Sequence, residues 1–69
     1  MKEVRISTEF ITLGQMLKLS DCIDSGGPAK PFLAETEVRV NGELDNRRGR
    51  KLYRGDRVEV NGHGNFVIV

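Results

Sequence analysis

Between Arg47 and Arg57 the chain sets Arg47, Arg48, Arg50, Lys51, Arg54 and Arg57 against a single acid, Asp56. A guanidinium is a planar fork of donors that grips phosphate or carboxylate oxygens in pairs and can stack on an unpaired base. A small protein that gathers most of its arginines on one turn-rich segment presents them to something anionic. A polyphosphate backbone is the commonest such partner. Gly49 and Gly55 would let the backbone of this segment approach phosphates closely. Composition alone favours a blander reading, in which RRGRK is a solvated, mobile loop.

The remaining reactive side chains do not converge. Cys22 is the only cysteine, which excludes an intrachain disulfide and a cysteine-rich zinc site. His63, in NGHG, reads as an exposed turn residue, and Ser7, Ser20 and Ser25 lack any triad context. Ser25-Gly26-Gly27 is not followed by the GKS or GKT of a phosphate loop. Asp21 and Asp24 read as caps near a helix end. No cofactor, metal site or catalytic group is expected, so an enzyme acting on a small anionic metabolite is the weakest reading.

Sixty-nine residues allow one domain, spanning 1–69, with a thin core. The net charge of +1 hides an asymmetry: residues 1–37 hold four cations and six acids, residues 38–69 seven cations and four acids. The segment MKEVRIST has no apolar stretch of signal-peptide length and no run approaches a membrane span. A cytoplasmic protein is expected, and a monomer.

These side chains need elements to hold them. Val4 and Ile6 alternate with polar residues over Glu3–Ser7, predicting a strand. Thr12 and Gln15 have the spacing of a capping box, and Leu13, Met16, Leu17, Ser20 and Ile23 form one helical face, with Gln15, Lys18 and Cys22 opposite. The predicted helix is 12–23. Ser25-Gly26-Gly27-Pro28 breaks it and starts a second helix ending near Glu35, begun late or irregularly because of Pro31. Val38 and Val40 mark a strand over Glu37–Asn41, Asn41-Gly42 a tight turn, Arg54-Gly55-Asp56 another. Strands at Arg57–Val60 and Asn65–Val69 complete an α+β fold of two short helices on a small, mostly antiparallel sheet, with a long basic loop over Asp45–Leu52.

The helix Leu13–Cys22, the run Val38-Arg39-Val40-Asn41-Gly42-Glu43 and the run Tyr53-Arg54-Gly55-Asp56-Arg57-Val58-Glu59-Val60 together resemble the RNA-binding domain named after the fourth protein of the small ribosomal subunit (the S-four domain). The core of the likeness is 12–60. Ser25-Gly26-Gly27 with Ala29-Lys30 is similar to a short stand-alone bacterial group that includes YaaA and YbcJ. The family often ends its second helix on a glycine where Thr36 stands here. The resemblance implies a non-catalytic module that contacts structured RNA, ribosomal RNA or tRNA, with the ribosome among its expected partners. It implies contacts from Lys30, Arg39, Arg47, Arg48, Arg50, Lys51 and Arg54. Helical spacing adds Gln15 and Lys18 as an extension of that patch.

Folded RNA displays phosphates and 2′-hydroxyls, so a basic loop reads its shape and backbone more than its sequence. Tyr53 is the one aromatic in the basic segment and is expected at the edge of the core, not under a base. The alternative is a protein–protein adaptor that docks an acidic partner, with Val67, Ile68 and Val69 or the edge of the last strand adding apolar contact.

Overall fold

A computed structural model describes residues 1–23 and 27–69. The elements run β1 Lys2–Val4, β2 Ile11–Thr12, α1 Leu13–Leu19, α2 Ala29–Glu35, β3 Val38–Val40, β4 Glu43–Leu44, β5 Lys51–Leu52, β6 Arg57–Val60 and β7 Gly64–Ile68. Five strands form a sheet in the order β1-β7-β6-β3-β4, antiparallel except for β1 beside β7. β2 and β5 make a separate antiparallel pair, Ile11 opposite Leu52 and Thr12 opposite Lys51. This is the expected α+β architecture.

Strand alternation sends Val4, Val38, Val40, Val58, Val60, Phe66 and Ile68 to one face, where they share a core with Leu13, Met16 and Leu17 of α1 and Leu33 of α2. Glu3, Arg39, Arg57, Glu59 and Asn65 point to the opposite face, the usual arrangement of an antiparallel sheet covered on one side. β7 lies inside the sheet, between β1 and β6, and Ile68 is buried. The last strand therefore offers no free edge to an adaptor's partner.

The first helix is shorter than its apolar periodicity. Thr12 caps it as expected: its hydroxyl accepts from the Gln15 amide, and the Gln15 side chain accepts from the Thr12 amide. It ends at Leu19 in a Schellman closure, the Cys22 amide donating to the Leu17 carbonyl (3.0 Å) and the Asp21 amide to that of Lys18 (3.2 Å). Asp21 takes the left-handed conformation, φ 62°, that glycine usually fills there. Ile23 reaches the core through this turn, not on a helical face, and Cys22 swings to half-burial against the core instead of lying opposite it.

The second helix begins at Ala29 after an extended Pro28. Pro31 is then the third helical residue, where no intrahelical partner exists for an amide, so the ring costs little. Thr36 closes the helix in an extended conformation, φ −118°, which suits a β-branched residue and removes the need for glycine. The expected helix break at Ser25-Gly26, and Asp24 as a cap, lie outside the described residues.

Candidate functional site

The two motif halves carrying the family likeness touch each other. Asn41 (φ 52°) and Gly42 (φ 88°) form the left-handed pair of a type I′ hairpin turn between β3 and β4. The Asn41 side chain accepts from the Arg57 amide (3.0 Å) and donates to Asp56 (3.2 Å), whose other oxygen accepts from the Tyr53 amide (2.8 Å). Asn41 and Asp56 thus join two turns, a structural role.

The basic segment is fastened to the start of α1. A helix begins with amides that lack intrahelical partners. Here the Leu13 amide donates to the Arg50 carbonyl (2.8 Å) and the Gly14 amide to the Arg48 carbonyl (2.9 Å), while the capping box satisfies Thr12 and Gln15. Glycine at position 14 eases this contact. A Cβ there would stand 3.3 Å from the Arg48 carbonyl oxygen and 3.4 Å from the Ala29 Cβ. The β2–β5 pair then holds Lys51 and Leu52. The stretch read as an open loop ends in a strand, and its backbone is anchored.

A buried carboxylate organises the side chains. Asp45, whose side chain is only 5% exposed, accepts from the Arg47 guanidinium (2.8 Å) and from Arg50 (2.7 Å), and also from the Arg47 amide (2.9 Å). The Arg47 hydrogen bond, helped by that amide and by Arg50, holds the Asp45 carboxyl well below the usual carboxylate range despite its burial. The same contact raises Arg47 above the ordinary arginine value. Two arginines around one acid leave a net positive charge. The Arg47 side chain remains 69% exposed and Arg50 30%.

Arg47, Arg50 and Lys51 line one shallow depression of the surface. Arg47, Arg48, Arg50 and Lys51 occupy the anchored segment; Arg48 and Lys51 are exposed and, among the described residues, have no salt-bridge partner. Lys30 is exposed at the first turn of α2, adjoining the Ala29–Gly14–Arg48 contact. Arg54 stands one turn further on and spends one N–H on the Ile6 carbonyl (2.9 Å). Gln15 and Lys18 are both exposed on α1 and line one cleft.

Arg39 stands apart. Alternation with the buried Val38 and Val40 puts it on the sheet face away from the helices, opposite Glu59 and paired with Glu37 at 3.3 Å. The same alternation was readable beforehand and separates it from the patch. Phe10 was missed: Lys51 Nζ lies 4.8 Å from its ring centre and the Tyr53 ring 5.8 Å away. A lone aromatic within the polar run STEFIT was the only signal. His63 is exposed, as expected, but meets the Phe32 ring edge-on at 5.4 Å. Among the described residues no group of three or more His, Cys, Asp or Glu side chains is placed to hold a metal, and no helix is long and apolar enough to cross a membrane.

Comparison with known proteins agrees with the motifs. The S4 domain family matches residues 4–69, and the chain belongs to that family. It is 65% identical over 66 residues to a Bacillus subtilis protein named "Probable ribosome maturation protein RlbA", covering 96% of this chain and 93% of that one. It is 34% identical over 58 residues to the Escherichia coli protein named "Putative RNA-binding protein YbcJ", covering 84% and 83%. No solved structure matches the chain.

Proposed function

We propose that this chain is a non-catalytic RNA-binding module that grips structured RNA, foremost ribosomal RNA, through Arg47, Arg48, Arg50, Lys51 and Arg54, with Lys30 and Lys18 at the margins. The observation that carries the reading is the anchoring of the basic segment. Its carbonyls are bonded to the amides of α1 and its arginines are held by Asp45. A loop that is fixed before binding loses less conformational entropy when it meets its ligand, which favours phosphate binding over mere solubility. The helix start is already occupied by the protein's own carbonyls, so phosphates are left to the side chains. The names of two relatives, one tied to ribosome maturation and one to RNA, point the same way.

Recovery of the tagged protein from cell extract, with and without ribonuclease, tests this. RNA should co-purify, and associated ribosomal particles should be lost once it is digested. Partners retained in full after digestion would favour the adaptor instead.

A further inference from the structure

Beside the basic segment lies a cleft of about 760 Å³ between the stretch 5–11 and α1, bounded by Ile6, Phe10, Ile11, Gln15, Lys18 and Leu19. That volume falls within the roughly 300–1,000 Å³ of clefts that take small organic groups. Ile6 and Ile11 give it a buried apolar floor, Phe10 is half-buried, and Leu19 remains 62% exposed.

Phe10 joins the cleft to the cations. Lys51 Nζ sits over its ring, and Tyr53, 44% exposed, leans towards it at a 49° tilt. Arg5 and Lys18 form part of the cleft wall, Lys51 and Arg54 lie just beyond Phe10 and Ile6, and Glu9 is the one acid in the wall. An apolar protein segment placed here would bury or crowd four cations without pairing them. A nucleotide offers both halves of the match, a flat π-face for the aromatic shelf and phosphates for the surrounding charges. Gln15 adds a polar edge: its carbonyl is taken by the Thr12 amide, which leaves its NH₂ free to donate.

We propose that this cleft takes one unpaired RNA base, stacked on Phe10 with Tyr53 at its margin, while the neighbouring phosphates meet Lys18, Lys51 and Arg54. The inference rests on the RNA-binding reading and extends it from backbone contact to capture of a single-stranded nucleotide next to a structured region. Every base has a π-face, so the shelf tolerates any sequence, with some preference for bases that offer Gln15 an acceptor.

Tyr53 is the only tyrosine and the chain has no tryptophan, so ultraviolet emission reports on this site directly. The probes are a short oligoadenylate and an abasic phosphodiester strand of the same length. Oligoadenylate should quench Tyr53 saturably and the abasic strand should not. Tyr53→Ala and Phe10→Ala, followed with labelled strands, should weaken oligoadenylate binding by roughly five- to 150-fold and leave the abasic strand unaffected. Tyr53→Phe, which keeps the ring, should retain affinity, and unchanged binding of the abasic strand guards against a folding defect in Phe10→Ala. Arg47→Gln with Arg48→Gln should weaken both strands equally. If both strands bind alike, lose affinity with the arginine changes and leave Tyr53 emission unaltered, base capture is overturned while RNA binding stands. If neither strand nor a folded ribosomal RNA fragment binds, both readings fall.

Discussion

Asp45 decides whether the arginines around it form a site or a cloud of charge. It sits among the cations of the basic segment, yet its partners are Arg47 and Arg50 and its role is to hold them. Asp45→Asn removes charge-assisted hydrogen bonds and should cost about 1–3 kcal/mol of stability in urea melts near neutral pH. Its folded-state pKa is depressed, so the carboxylate stabilises fully above the unfolded value of about 4 and loses that contribution as the pH falls towards the depressed one. The stability gap between wild type and Asp45→Asn should therefore be constant from neutrality down to about pH 5 and shrink below about pH 4. A gap of the same size at every pH would show that the carboxylate does not hold the arginines. Nothing in the spacing of Asp45, Arg47 and Arg50 reveals this in advance, because burial of the acid depends on the fold around it.

Among the elements, the junction of α1 with the basic segment matters most. Gly14→Val would push a side chain into the Arg48 carbonyl and the Ala29 methyl, both part of the packed junction. The expected loss is about 1–3 kcal/mol, with weaker RNA binding although no charge is removed. Chemical denaturation beside a binding titration checks it; an unchanged affinity would mean that the anchoring is irrelevant to function. The capping box that starts this helix and the Asn41-Gly42 hairpin were legible because a few adjacent residues decide them. The end of α1 was not, since Ile23 continues the apolar period while Asp21 turns the backbone left-handed. The β2–β5 pair was hidden for another reason: two-residue strands carry no alternation, and Ile11 meets Leu52 only once the chain has folded. The basic patch was visible as composition, and the alternation of Arg39 with Val38 and Val40 already set that residue on the other face of its strand, but the rigidity of the basic segment is a matter of tertiary placement.

Across the whole molecule, charge is sorted by the fold as well as by the chain. The near-neutral total conceals a cationic region built from the anchored segment, the start of α2 and the outer side of α1. The far face of the sheet mixes signs, with Arg39 between Glu37 and Glu59 and Arg57 opposite Val67. On the proposed RNA-binding reading, such a distribution would direct a polyanion to one side of a protein whose overall charge would barely attract it. Each phosphate contact on that side releases condensed counterions, so its number is read from salt dependence and not from affinity alone. Titration of a folded ribosomal RNA fragment across a salt series, with wild type and the Arg47→Gln/Arg48→Gln/Lys51→Gln variant, measures this directly. The log–log slope should fall by roughly 0.7–0.9 for each contact removed, with affinity reduced at every salt concentration. Identical slope and affinity in a folded triple variant would contradict the assignment of this segment as the RNA-binding surface.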